Sequence, residues 1–242
     1  MTDSRPAFYA LRSGGWRDYV TLLHPPYTFW HLSYVAVGAA LAPRMDWPLL
    51  GWTTLAFALA LGVGAHALDE LRGRPLQTRI STTTLIALAA TSIGGACAIG
   101  IAIAVSRTLW LLVFVAVGAF LVVAYNLELF GGAVHGDLWF AAAWGAFPVL
   151  TAYFASARTL RGAAIAAAAY ALASSWAQRR LSTQVRLVRR RVVSVEGKAR
   201  LGDGGELELD ADSLAAAPEG ALKALAAAVV LLAVALLLVR AG

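Results

Sequence analysis

Seven long apolar stretches, almost free of charge, are what any fold of this chain has to accommodate. They are Tyr27–Leu41, Trp47–Leu68, Thr84–Val105, Leu109–Leu127, Leu138–Ala155, Gly162–Ala177 and Leu222–Val239. A helix crosses the hydrocarbon core of a bilayer with roughly 20 apolar residues, about 17 to 25 being tolerated. Most of the stretches qualify once their flanks are counted, and Leu22–Pro26 is expected to extend the short first one. With 60% hydrophobic and 14% charged residues in 242, and a mean hydropathy of +0.68, the chain needs lipid around it. The expectation is an all-α integral membrane protein of about seven transmembrane helices, residues 1–242 forming a single membrane domain. Gly and Ala inside the stretches, as in Ser92-Ile93-Gly94-Gly95-Ala96, let such helices approach closely.

The polar start Met1–Arg17 has no small-residue cleavage site behind the first apolar run, so it is not expected to be removed. Cys97 is the single cysteine, which excludes a disulfide within the chain and a cysteine-based zinc site. Basic residues divide unequally between alternate loops. Arg5, Arg12, Arg17, Arg72, Arg74, Arg79, Arg179, Arg180, Arg186, Arg189, Arg190, Arg191, Lys198, Arg200 and Lys223 fall in one set. Only Arg44, Arg107, Arg158, Arg161 and Arg240 fall in the other. Lys and Arg are retained on the cytoplasmic side, which predicts a multi-pass protein of the cell membrane with its N-terminus cytoplasmic and its C-terminus outside.

Polar residues collect at three places on the basic side. The second stretch ends in Gly64-Ala65-His66-Ala67-Leu68-Asp69-Glu70-Leu71-Arg72-Gly73-Arg74 and continues to Arg79. On a helix His66 lies three or four residues from Asp69 and Glu70, so they share a face and can meet at one ion or proton. An interfacial helix end with Asp69 or Glu70 paired to Arg72 or Arg74 is the plainer alternative. The second cluster, Tyr125–Phe140, holds Glu128, His135 and Asp137 with no basic residue, and Gly131, Gly132 and Gly136 for turns. The third runs from Gln178 through Arg179, Arg180, Ser182 and Arg186 to Arg189–Arg191, six arginines with no acid between Asp137 and Glu196. Arginine forks match phosphate oxygens, although a positive-inside anchor uses Arg as well.

Between the sixth and seventh stretches, residues 192–213 differ in kind. Val192–Glu196 and Glu206–Asp210 alternate around Gly202-Asp203-Gly204-Gly205, which predicts a small cytoplasmic β-hairpin insertion. It is a lid or a linker. Pro218 and Glu219 are expected to open the last helix.

These features give a family likeness. Over roughly residues 20–190 the chain resembles the UbiA superfamily of intramembrane prenyltransferases. That family carries an acidic motif N-D-x-x-D-x-x-x-D at the end of its second helix, a loop tyrosine after its fourth and D-x-x-x-D after its sixth. Ala65–Asp69 followed by Gly73 is similar to the first motif with Asp69 alone kept, and Tyr125 to the loop tyrosine. Gln178 and Ser182 stand where the second motif has acids. Leu23-His24-Pro25-Pro26-Tyr27 and Ala141–Tyr153 share the family's look, while family members usually have nine spans.

The resemblance implies a divergent transferase in a UbiA-like bundle, acting on a polyprenyl phosphate or diphosphate and an acceptor that the sequence does not name. It implies Mg²⁺ as cofactor, here a single ion on Asp69 and Glu70, with Asp137 or Glu128 assisting. It places His66, Asp69, Glu70, Tyr125, Glu128, His135 and Asp137 about the reaction. The lipid head is expected on Gln178, Arg179, Arg180 and Arg186, with Arg72, Arg74 and Arg79 closing from the other side. The expected partners are an isoprenoid substrate and membrane lipids, with no nucleic acid, and a homo-oligomer or membrane partner protein remains open. The alternative is a non-catalytic lipid-binding or partner-binding membrane protein on the same scaffold. A transporter is disfavoured, since membrane-depth segments hold almost no ionisable residues.

Overall fold

The structure, a computed structural model, describes residues 7–242, so Arg5 of the basic set lies outside the described residues. The helices are α1 (Trp16–Leu22), α2 (Pro25–Leu41), α3 (Trp47–Leu71), α4 (Thr82–Arg107), α5 (Leu111–Asn126), α6 (Asp137–Ala157), α7 (Gly162–Arg191) and α8 (Ala211–Ala241). A two-stranded ribbon, β1 (Gly197–Arg200) and β2 (Glu206–Leu209), separates α7 from α8. The seven apolar stretches fall in order on α2 to α8. Four of these helices, α3, α4, α6 and α8, are long and apolar enough to cross a membrane; α2 has 17 residues and α5 has 16. Helix α7 is apolar through its first half, and its arginines all lie in its second, interleaved with Leu181, Val185, Leu187 and Val188.

Local chemistry sets the helix boundaries. The Asp46 carboxylate accepts from Leu49 N at 2.9 Å and Ser81 Oγ from Thr84 N at 3.0 Å, which caps α3 and α4. Of Leu22–Pro26, only Pro25 and Pro26 lengthen the first stretch. The chain breaks at His24, held at φ 45°, because the residue before a proline is barred from the helical region. Pro25 and Pro26 then begin α2, where their missing N–H groups cost nothing.

The last helix starts at Ala211 rather than at Pro218. A capping box starts it early: Asp210 accepts from Ser213 N at 2.6 Å, and Ser213 Oγ accepts from Asp210 N at 2.9 Å. The hairpin exists with its first strand shifted to Gly197–Arg200, leaving 192–196 irregular. Counting back from the turn at Gly204, φ +85°, pairs Arg200 with Glu206 and Gly197 with Leu209, so the turn fixes the register.

Small residues seat the helices closely. A Cβ on Gly38 would lie 2.3 Å from the Val149 carbonyl oxygen, and one on Gly145 would lie 2.4 Å from that of Ala171. These are the backbone contacts of α2 with α6 and of α6 with α7. Helices α3 and α6 each contain a π-helical segment, Ala58–Ala65 and Ala141–Ala146. The wider turn displaces the carbonyl ladder and frees acceptors for side chains.

The two sets of alternate loops lie at opposite ends of the bundle. At one end Arg107 pairs with Asp46, and Arg240 donates to the carbonyls of Ala40 and Ala42 at 2.7 Å each. At the other, Arg72 meets Glu128 at 2.8 Å, Arg79 N donates to Asp18 at 2.9 Å, and Arg189 meets Glu219 at 2.9 Å. The arginine-rich loops thus share one end, as their count along the sequence requires.

Candidate functional site

The ends of α2, α3, α5, α6 and α7 bring polar side chains together in one cluster at the arginine end, here termed the chamber. From α3 comes Asp69, on which Arg186 and Arg190 are the foremost charges. From α7 come Gln178, Ser182 and Arg186, spaced four residues apart on one face. Arg186 in turn faces Arg179, Arg190, Asp69 and Tyr125. Tyr125, at the end of α5, sits face to face with His135 at 4.4 Å between ring centroids and against Trp144 at 4.6 Å. Arg179 lies over the Phe140 ring at 5.5 Å. His24 and His66 lie with their rings tilted at 4.0 Å, and Tyr9 lies against His24 at 5.2 Å.

Three histidines have one assignable tautomer. The Nδ1 of His31 lies 2.9 Å from Trp144 O, that of His66 3.1 Å from Gly62 O and that of His135 2.9 Å from Tyr125 O. A carbonyl only accepts, so each Nδ1 carries a proton and donates it. Two of these carbonyls, Gly62 and Trp144, belong to the π-helical segments, which is how those segments contribute to the site. Tyr125 Oη, Gln178 Oε1 and His24 Nε2 are buried with no hydrogen-bond partner among the described residues. Orphaned groups of this kind cost about 1 to 3 kcal/mol each, which a polar ligand would recover. Burial first, then the charges of His66, Arg190 and Arg186, hold the pKa of His24 well below its ordinary value of 6.5.

An apolar cavity adjoins the chamber at Trp144, whose ring packs on Tyr125. It lies among α3, α4, α5 and α6, partly open to the outside, with a volume of about 100 Å³. Trp144 and Ala155 mark its ends on α6, about 16 Å apart at 1.5 Å per residue.

No family model, curated protein or solved structure matches the chain.

The chamber brings together His66, Asp69, Tyr125, His135, Gln178, Arg179 and Arg186 of the expected site. Several other expectations need correction. Glu70 is not beside Asp69 on a shared ion: fully buried, it accepts from Leu76 N at 3.0 Å, Thr78 N at 2.9 Å and Thr78 Oγ1 at 2.8 Å, folding the 72–81 loop. Glu128 and Asp137 do not lack basic neighbours. Distant arginines reach them, Arg72 at 2.8 Å for Glu128, and Arg179 at 3.3 Å and Arg180 at 3.4 Å for Asp137.

Arg72 and Arg74 do not close over the head site. Arg72 also donates to Leu127 O at 2.8 Å, and Arg74 donates to Ile80 O at 2.5 Å and Thr82 Oγ1 at 3.0 Å, so both organise loops. Arg79 is exposed, and Arg180, also exposed, lies over Trp176. Nor do Asp69 or Glu70 pair with Arg72 or Arg74.

Among the described residues no group of three or more His, Cys, Asp or Glu is placed to hold a metal ion. Asp69 alone fits a Mg²⁺ that takes its remaining ligands from phosphate and water, since that ion is commonly held by one or two carboxylates plus substrate phosphates. Tyr9, His24 and His31 were missed by the sequence reading. A histidine before a Pro-Pro pair and another on an apolar helix carry no spacing that sets them apart from packing residues.

Proposed function

We propose that this chain is a seven-span protein of the cell membrane, N-terminus cytoplasmic and C-terminus outside, that works as a divergent UbiA-like transferase on a polyprenyl phosphate or diphosphate. One observation carries the reading. Arg179 and Arg186 line a polar chamber facing Asp69 and Tyr125, and an apolar cavity adjoins that chamber at Trp144. An anionic head on two guanidinium forks and a hydrocarbon tail in the cavity use both spaces at once. Partial burial strengthens each charge-assisted contact.

The chain's own residues divide the work. Arg179 and Arg186 bind and orient the head, and Tyr125 Oη donates to it. His66 would take a proton from an acceptor at Nε2, while His135, whose Nε2 lies 3.5 Å from Arg179 Nη2, positions that guanidinium. Asp69 would hold Mg²⁺, which when bound neutralises charge on a leaving phosphate. The surrounding aromatic rings of Tyr125, Phe140 and Trp144 exclude water.

A second reading, a lipid-binding protein without catalysis, is favoured by the pairing of Glu128 and Asp137 with arginines, which leaves Asp69 without a companion carboxylate. The test uses purified protein in nanodiscs with a polyprenyl diphosphate and Mg²⁺. Diphosphate release supports the transferase, binding without release supports the second reading, and absence of binding rejects both. Cysteines placed near residues 77 and 160 and labelled from opposite sides of the membrane test the orientation.

A further inference from the structure

Residues 7–15 run as a strap without regular structure across the arginine end of the bundle. Its inner side is apolar. Ala7 and Ala10 are buried, and Phe8 and Tyr9 set their rings edge-on against Tyr27 at 6.3 and 5.5 Å. Tyr9 lies against His24, whose ring contacts that of His66, one turn from Asp69. The Tyr9 hydroxyl lies in the field of Arg190, Arg186 and Asp69, the groups that line the chamber. The strap therefore roofs the same chamber.

Polar bonds among the described residues join it to α1 and to the 72–81 loop. Leu11 N donates to Thr21 Oγ1 at 3.0 Å, Ser13 Oγ to Gln77 O at 3.3 Å and Gly14 N to Asp18 Oδ1 at 2.8 Å. The other oxygen of Asp18 accepts from Arg79 N at 2.9 Å, so one buried carboxylate joins the strap to the 72–81 loop. Where the strap meets α1, Gly14 and Gly15 have φ of +125° and +63°, with no neighbour within reach of an added Cβ. Two glycines with left-handed backbone in open space make a joint that can turn.

We propose that residues 7–15 are a lid on the chamber: the strap swings about Gly14 and Gly15, the Asp18 carboxylate latches it, and Tyr9 is the plug over His24, Asp69 and Arg186. A lipid reaches the chamber from the bilayer side through the apolar cavity. A water-soluble reactant has the strap in its way, and it enters when the latch opens. Local opening of this kind suits a segment without regular structure that joins the bundle through a glycine pair. The lid does not depend on the identity of the ligand.

The experiment uses the full chain in nanodiscs with Cys97→Ser and a reporter, Ser182→Cys, on the chamber wall between Gln178 and Arg186. A small charged thiol reagent is the probe. Tyr9→Ala, which removes the plug, and Asp18→Ala, which removes the latch, are each expected to raise the labelling rate at least about tenfold. Equal rates in the parent and in a folded Tyr9→Ala variant would overturn the lid. Tyr9→Ala decides the matter where Asp18→Ala also loosens the 72–81 loop. In the unmodified chain, amide hydrogen exchange at residues 8–14 is expected to be faster than in α2, and exchange as slow as that helix would overturn the hinge. Neither readout involves a lipid phosphate, so failure of the proposed function would leave both results interpretable.

Discussion

Arg186 is the foremost charge acting on Asp69 across the chamber, yet the two close no ion pair. A guanidinium and a carboxylate held apart around a polar space suit a ligand that brings an anion to one and a cation to the other. Binding of polyprenyl phosphate is therefore expected to tighten about tenfold with Mg²⁺ in the unmodified protein. In Asp69→Asn the dependence on Mg²⁺ disappears while binding in its absence is kept or improved. Titrations in nanodiscs with and without Mg²⁺ check this, and an undiminished Mg²⁺ dependence in the variant counts against a metal on Asp69.

Glu70 acts on stability rather than on chemistry. Its buried carboxylate accepts three hydrogen bonds from the 72–81 loop, two from backbone N–H groups. Glu70→Gln turns an amide N–H towards at least one of those donors, and a loss of about 3 kcal/mol is expected. A thermal unfolding midpoint unchanged from the parent would show that the loop does not depend on this carboxylate.

Close helix seating gives a second stability prediction. Gly145→Ala places a Cβ against the Ala171 carbonyl, and Gly38→Ala places one against that of Val149. Backbone cannot yield as a flexible side chain does, so each is expected to cost about 2 kcal/mol. Unfolding in nanodiscs measures it, with Gly94→Ala, where nothing lies within reach, as a near-neutral control.

His24 makes stability depend on pH. Its folded-state pKa lies well below 6.5, so the folded protein keeps the ring neutral where the unfolded chain takes up a proton. The contribution is fully present above pH 6.5 and is lost as pH falls below it. The unfolding midpoint is expected to fall between about pH 7.5 and 5.5, and to fall less in His24→Gln. An equal fall in both would assign the dependence to other groups.

The seven apolar stretches and the gathering of arginines at one end were legible because burial in lipid and charge asymmetry are properties of composition along the chain. The late start expected for α8 failed because Pro218 is a conspicuous signal while the Asp210–Ser213 box is a quiet one, and the box won. Site residues divided along similar lines. Asp69, Tyr125 and Arg186 stand at helix ends, where the sequence pattern places them. The partners of Glu128, Asp137 and Arg72 lie 42 to 56 residues away, beyond what spacing can show. Glu70 was misread because adjacency to Asp69 suggested a shared ion, whereas neighbouring helix residues point in different directions.

The central claim is that Arg186 and Arg179 grip a lipid phosphate by their forks rather than by charge alone. Polyprenyl phosphate affinity in nanodiscs, compared between the unmodified protein, Arg186→Lys and Arg179→Lys, tests it most directly, because lysine keeps the charge and loses the bidentate geometry. The account predicts binding weaker by about tenfold or more in Arg186→Lys, and weaker to a lesser degree in Arg179→Lys, whose arginine also pairs with Asp137. Unchanged affinity in both variants, together with steep weakening by salt, would contradict it and leave only attraction to the charged end of the bundle.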